Sequence, residues 1–186
     1  GTHNAQNAAA AYAVTRSAGL DWQEISDAIK TYPGLAHRQE RVEVIDGVAY
    51  INDSKATNAD AAARALGCYE AICWIAGGQS KEGGLDPVTP YLNKVVHAFL
   101  IGEAQDAFAA VLADRVPVTK SDTLAKAVEQ AHQRAQEDKS GGCVVLLSPA
   151  CASFDQFDNF EQRGDVFKAL VQGLPGQHNS EGGALR

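Results

Sequence analysis

Three polar stretches of this chain carry the residue types that hold anions. Asp53-Ser54-Lys55-Ala56-Thr57-Asn58 follows an apolar run ending at Ile51-Asn52. Gly77-Gly78-Gln79-Ser80-Lys81-Glu82-Gly83-Gly84 follows Trp74-Ile75-Ala76, and Ser148-Pro149-Ala150-Cys151-Ala152-Ser153-Phe154-Asp155 follows Leu146-Leu147. Glycines let backbone N–H groups approach an anion, a lysine adds full positive charge, and hydroxyls at helix starts donate without charge. The set suits a carboxylate or a phosphate. Glycine-rich turns and serine caps also serve as plain connectors, but three such loops, two of them with a lysine, weigh toward a ligand.

Other chemistries find less support. The Walker A pattern is absent, since Lys81 is followed by Glu82. Ser153 has no nucleophile elbow around it, so it reads as a hydrogen-bonding or capping serine. His3, His37, His97, His132 and His178 show no metal-ligand spacing, and His97 and His132 read as surface residues. Asp155, Asp158 and Glu161 read as negative charge favourably placed at the start of the last helix.

Elements must bring these loops together. The pattern predicts helices over 4–18 and from Asp21 to about Lys30, with Gly19 stopping the first and Asp21 capping the second. Pro33-Gly34 ends this helical hairpin, and 35–40 connects it to strands. Two β-rich runs around Asp46-Gly47 predict a tight hairpin over 41–52, because Asp-Gly supplies the positive φ such a turn needs. Strands at 71–76, 95–101, 116–118 and 143–147 then alternate with helices at 58–66, 88–93, 104–113, 124–137 and 159–171. Near-continuous apolar strands joined by helices specify an α/β fold, a mostly parallel, Rossmann-like sheet covered on both faces. In such a sheet the loops after the strands converge on one edge.

Composition agrees. The 186 residues are 45% hydrophobic and 21% charged, ordinary for a globular chain with one core and a small companion lobe. A net charge of -7 without a local basic patch argues against nucleic acid. Cys68, Cys73, Cys143 and Cys151 lack paired spacing and read as reduced, mostly buried thiols of a cytoplasmic protein. No long apolar span or leader points to a membrane or to export. The start Gly1-Thr2-His3-Asn4, with no methionine anywhere, reads as cut from something longer.

Several stretches together resemble the Mur ligases. They are Gly1-x-His3-Asn4-x-x-Asn7, Gly34-Leu35-Ala36-His37-Arg38-Gln39-Glu40, Asn52-Asp53-Ser54-Lys55-Ala56-Thr57-Asn58, the Gly77-Gly78 loop with Lys81, and Leu147 to Phe157 followed by Asn159-Phe160-Glu161-Gln162-Arg163-Gly164. The Ser-Lys-Ala-Thr-Asn form is similar to that of the members that add D-glutamate. The resemblance implies the last part of an ATP-dependent amide-bond ligase of peptidoglycan synthesis, monomeric and inactive as this piece alone. Residues 1–38 would end the central ATPase domain, 39–174 form the C-terminal domain, and 175–186 a flexible tail. The partners implied are D-glutamate, ATP and UDP-N-acetylmuramoyl-L-alanine, with Mg²⁺ and most of ATP held by upstream sequence.

The resemblance also implies roles. Asn7, Arg38 and Asp53 would meet the nucleotide; Lys55, Thr57, Lys81, Ser153 and Phe160 would hold the carboxylates of D-glutamate. No residue is implied as a nucleophile. Because Asn7 precedes the boundary while Asp53 and Lys81 follow it, the C-terminal domain is expected to swing about the 33–40 connector. Two other readings remain from the residues: a free-standing α/β module binding an acidic metabolite or nucleotide, and a related ligase with another acceptor. Lys81 and Ser153 weigh against a diamino acceptor, whose second ammonium would want a carboxylate.

Overall fold

Runs of β-branched, aromatic and aliphatic residues too long to alternate with polar ones can only be satisfied where both faces of a sheet are covered. The computed structural model describes residues 2–80, 84–138 and 142–179 and shows such a sheet. The chain divides into two units, 1–34 and 35–186.

In the first unit, α1 (Thr2–Ser17) ends at Gly19, whose φ of 93° no side chain would favour, and α2 (Trp22–Thr31) follows. Asp21 caps α2: its carboxylate accepts the Gln23 N–H at 2.7 Å, while its own N–H donates to Glu24 Oε2 at 3.1 Å. Asn7 is exposed on α1.

The second unit contains β1 (Glu40–Ile45), β2 (Val48–Asn52), β3 (Ala71–Gly77), β4 (Val95–Ile101), β5 (Val118–Asp122) and β6 (Cys143–Leu147), ordered β1-β2-β6-β3-β4-β5. Only the β1–β2 pair is antiparallel. Its turn has Asp46 at φ 49° and Gly47 at φ 85°, the mirror-image geometry that matches strand twist.

Helices α3 (Ala59–Leu66), α4 (Gln105–Leu112), α5 (Leu124–Gln136) and α6 (Phe160–Gln172) cover the faces. Successive residues of β3 serve opposite cores. Ile72, Trp74 and Ala76 pack with α3 and α4 residues such as Leu66 and Phe108, whereas Cys73 and Ile75 pack with Val128 of α5 and Phe167 of α6. Each large side chain so buried contributes about 1.5–3 kcal/mol.

Four expectations need correction. The helix expected over 88–93 is a 3-10 helix, Asp86–Lys94, because Pro90 inside it has no N–H to donate. The fifth strand is Val118–Asp122 rather than 116–118; it lies at the sheet edge, where the polar Thr119, Lys120 and Asp122 are tolerated. His132 is buried, not on the surface, with its Nδ1 hydrogen-bonded to the Tyr50 hydroxyl. Residues 175–179 of the expected tail are bonded to β1. Asp46 and Gln177 exchange backbone and side-chain bonds at 3.1 and 3.0 Å, and the Asn179 N–H donates to the Val44 carbonyl at 2.9 Å. The free edge of β1 offers backbone partners that need no apolar pattern. Residues 180–186 lie outside the described residues.

All four cysteines are free, and Cys73, Cys143 and Cys151 are buried. Among the described residues no helix is long and apolar enough to cross a membrane.

Gly77 closes β3 at φ 119°, and a Cβ there would lie 2.1 Å from the Ile101 carbonyl oxygen. Gly77→Ala should therefore lower the stability of the unit by more than about 2 kcal/mol in denaturant unfolding. Gly173→Ala, where a Cβ meets nothing nearer than 3.6 Å, should stay within about 1 kcal/mol of the parent.

Candidate functional site

The carboxyl ends of β2, β6 and β3 stand side by side, with Asn52 and Ile75 both opposite Leu147. Backbone bonds continue past the strands and lace the loops together. The Asp53 N–H donates to the Leu147 carbonyl at 2.8 Å, and the Gly77 N–H to the Pro149 carbonyl at 2.8 Å. Gln79 and Ala152 exchange bonds of 2.9 and 3.1 Å. The three polar stretches therefore meet on one edge.

Two of them, those after β2 and after β6, share a fastener in Arg163, in the first turns of α6 and 0% exposed. Its Nε donates to Ser54 Oγ at 3.0 Å and its Nη2 to the Ser54 carbonyl at 2.9 Å. Nη2 also reaches the Cys151 carbonyl at 3.2 Å, and Nη1 the Ala152 carbonyl at 3.3 Å. Ser54 Oγ in turn donates to the Phe160 carbonyl at 2.8 Å. Burial pushes the guanidinium down to about 10, which leaves it charged at neutral pH.

Four residues expected to hold an acceptor lie in these two stretches or at the start of α6. Lys55 is exposed, with its Nζ 5.5 Å from the centroid of the Phe160 ring. Thr57 is half-buried one turn further on, before Asn58 caps α3. Ser153 is 2% exposed, and its carbonyl accepts the N–H groups of Gln156 and Phe157 at 3.1 and 2.8 Å. Phe160 opens α6 behind the Asn159 cap. Lys81 lies outside the described residues.

The nucleotide candidates divide. Arg38 is exposed and Asp53 buried in the second unit, while Asn7 belongs to the first. Asp53 Oδ1 accepts the Gln39 N–H at 3.1 Å and Oδ2 the Ser148 hydroxyl at 2.8 Å. Burial raises its pKa to about 6 against the opposing effects of those two bonds and of the Arg38 charge.

Two expectations about acidic residues separate. Asp158 and Glu161 sit at the start of α6, but Asp155 turns to the next loop, where its Oδ2 accepts the Glu103 N–H at 3.1 Å.

Residue types alone did not point to Asn52, His37 or Ser148. The Asn52 amide lies 3.1 Å from His37 Nδ1, 3.2 Å from Glu40 Oε2 and 3.2 Å from the Gly164 carbonyl, while its Oδ1 accepts the Ser54 N–H at 3.2 Å. The buried His37 presents its ring edge to Phe160, with centroids 6.2 Å apart. Gly164 leaves room for that ring, since a Cβ there would lie 2.2 Å from Nδ1. The one signal was position: His37 and Asn52 lie within the quoted stretches 34–40 and 52–58, and Ser148 opens the stretch 148–155.

The arrangement offers the exposed charge of Lys55 beside the Phe160 ring, with the Thr57 and Ser153 hydroxyls in the same stretches, chemistry that suits an anion. Among the described residues no group of three or more His, Cys, Asp or Glu side chains could hold a metal ion.

Comparison with known proteins agrees with this geometry. The family model described as "Mur ligase, glutamate ligase domain" matches residues 37–151. The UDP-N-acetylmuramoylalanine–D-glutamate ligase of Paramagnetospirillum magneticum is 56% identical over 172 residues, covering 92% of this chain and 38% of that protein. The protein of the same name from Rhodospirillum rubrum is 55% identical over 174 residues, covering 94% of this chain and 36% of its own length. The chain thus spans well under half of these relatives. Among solved structures, MurC, the UDP-N-acetylmuramate-alanine ligase of Thermotoga maritima, gives a TM-score of 0.62 at 16% identity, over 92% of this chain and 38% of that one. MurF from Acinetobacter baumannii gives 0.56 at 19% identity, over 92% and 38%. At such identities the likeness concerns the fold. With the family model matched over residues 37–151 and its polar loops gathered on one edge of this sheet, the chain belongs to the Mur ligase family, as its glutamate ligase domain.

Proposed function

We propose that this chain is the acceptor-binding part of an ATP-dependent ligase that joins D-glutamate to UDP-N-acetylmuramoyl-L-alanine in the cytoplasm, during peptidoglycan synthesis. The observation that supports the reading is that buried Arg163 ties Ser54, the neighbour of Lys55, to Ala152, the neighbour of Ser153, while Lys55 Nζ stands 5.5 Å from the centroid of the Phe160 ring. The names of relatives at 55–56% identity support the choice of acceptor. Residues 1–38, with Asn7, would end the central domain of the longer protein.

In such a reaction a carboxylate of the muramoyl substrate takes the terminal phosphoryl group of ATP. The D-glutamate amine then attacks the acyl phosphate, an amide bond forms, and phosphate leaves. The chain's task is alignment and charge neutralisation rather than covalent catalysis. Lys55 and Lys81 would each face a carboxylate of D-glutamate, and Thr57 and Ser153 would donate hydroxyl bonds. Phe160 would limit water around the lysine. Arg38 would meet the phosphates of ATP. The described residues do not fit a Mg²⁺ centre, so no step is assigned to the metal here.

Losing a charge-assisted hydrogen bond to a desolvated carboxylate costs roughly 1.5–3 kcal/mol, about ten- to a hundredfold. Lys55→Ala and Lys81→Ala, each placed in a ligase of the relatives' full length, should lower kcat/KM for D-glutamate by that factor with the fold retained by circular dichroism. Unchanged turnover in both variants would sink the site assignment.

Asp53 makes a separate prediction. Its folded pKa of about 6 lies above its ordinary value of 3.8. A raised acid pKa means that stability present below the ordinary value is lost as pH rises through the folded one. Across that window the loss is about 3 kcal/mol. The stability of Asp53→Asn relative to the parent should therefore rise by about 2–3 kcal/mol between pH 4 and pH 8 in urea unfolding. Parallel pH profiles for the two proteins would contradict a carboxylate whose burial outweighs its two hydrogen bonds.

A further inference from the structure

The turns after β4 and β5 carry none of the residues expected to meet a ligand, yet they are bonded to stretches that do. Gly78, after β3, joins the first turn: its N–H donates to the Ile101 carbonyl at 3.0 Å and its carbonyl accepts the Ala104 N–H at 2.9 Å. Gln79, the next residue, exchanges its two backbone bonds with Ala152 in the stretch after β6. From that stretch Asp155 Oδ2 reaches back to accept the Glu103 N–H at 3.1 Å, a bond across 52 positions of sequence. The bonds close a ring through 101–104, Gly78, Gln79, Ala152 and Asp155.

Gly102 is where the ring is tightest. It is buried at φ 68°, and a Cβ there would overlap Asp155 Oδ2 and lie 2.9 Å from Gly78 Cα, so both stretches close on a residue that must lack a side chain. The end of β5 adds a second anchor. Asp122, itself at φ 62°, offers its carbonyl to two donors, the Gly102 N–H at 3.0 Å and Gln156 Nε2 at 2.7 Å. Gln156 passes this hold on, because its own N–H donates to the Ser153 carbonyl at 3.1 Å, beside that of Phe157 at 2.8 Å. Ser153 is therefore held by the residues that follow it, and those residues by the turns after β4 and β5.

We propose that Asp155 is a positioning residue for acceptor binding: by mounting the outer limb of the stretch after β6 on the β4–α4 turn it sets the place of Ser153, and it acts on the acceptor through that serine rather than by touching it. The mount stands on geometry alone; the acceptor half rests on the function proposed above. Two features favour holding over direct contact. A carboxylate within reach of a dicarboxylate acceptor would repel it, whereas this one is turned to a backbone N–H that its charge strengthens. The start of α6 does not need it either, since Asn159 caps that helix and accepts the Gln162 N–H at 2.7 Å.

Two measurements test this. Amide hydrogen exchange of the chain in Asp155→Ala should show the Glu103 N–H exchanging on the order of tenfold faster and those of Gln156 and Phe157 accelerated with it, while the β1 and β3 amides keep their protection. Asp155→Asn, which keeps an oxygen acceptor, should give a smaller acceleration. Parent-like exchange at all three amides in Asp155→Ala overturns the mount, and faster exchange at Glu103 alone overturns its hold on Ser153. In a ligase of the relatives' full length, Asp155→Ala should raise KM for D-glutamate on the order of tenfold, with KM for ATP within about twofold of the parent, and Asp155→Asn should recover most of the loss. A rise for both substrates alike, or for neither, overturns the positioning role. Combined with Ser153→Ala, Asp155→Ala should cost no more than about twofold beyond the worse single variant, and multiplying effects overturn action through Ser153. A KM for D-glutamate that Ser153→Ala leaves unaltered, with exchange accelerated in Asp155→Ala, overturns the acceptor role of Ser153 and leaves the mount standing.

Discussion

The burial of one guanidinium sets the form of this site. Taking an arginine out of water is expensive unless its donors are met, and Arg163 meets neutral oxygens: the Ser54 hydroxyl and carbonyl, and the carbonyls of Cys151 and Ala152. No side-chain carboxylate takes any of these bonds, and the Asp155 charge near by favours the guanidinium's charged form. The same bonds tie a helix to two loops. They add to the Asp53–Leu147, Asp53–Ser148 and Ser54–Phe160 bonds that already join the stretch after β2 to the stretch after β6 and to the first turn of α6. Gly78 completes the arrangement by having no side chain, since a Cβ there would lie 2.4 Å from the Ala152 oxygen and 3.2 Å from Arg163 Nη1.

Strain collects at the same edge. Of the five non-glycine residues with positive φ among the described residues, His37 and Gln39 lie in the connector, Asp122 ends β5 and Ala150 follows β6; Asp46, in the hairpin turn, is at the far end. The two cores beneath supply the stability that tolerates this. The rigid, doubly covered sheet is where the energy of burial is gained, and its carboxyl edge is where some of it is given up for shape.

The junction at Asp53 to Asn58 was legible because it is a local matter: a run of β-formers stops, short polar residues follow, and an alanine-rich helix begins. The Asp46-Gly47 hairpin and the Asp21 cap were legible for the same reason. What escaped depends on partners distant in sequence. Arg163 sits in a helix whose pattern says nothing of carbonyls 11 and 109 positions away. His132 looked exposed because its partner, Tyr50, is 82 residues off. The fifth strand was misplaced because an edge strand needs no apolar period, and the 3-10 helix because Pro90 was weighed less than its apolar neighbours. Local pattern thus marked where the ligand edge would be, while long-range hydrogen bonds decide which polar residues are its foundations and which face outward.

The claim that Arg163 makes one platform of α6 and two loops is open to a single direct measurement, amide hydrogen exchange across the second unit in Arg163→Lys. A lysine keeps the charge but cannot reach Ser54, Cys151 and Ala152 together. The account predicts that the amides of Ser54 and Lys55, of Ala152, and of the first turn of α6 all become faster by a similar factor, while those of β3 and β4 keep their protection. Faster exchange in α6 alone, with both loops unaffected, would contradict it.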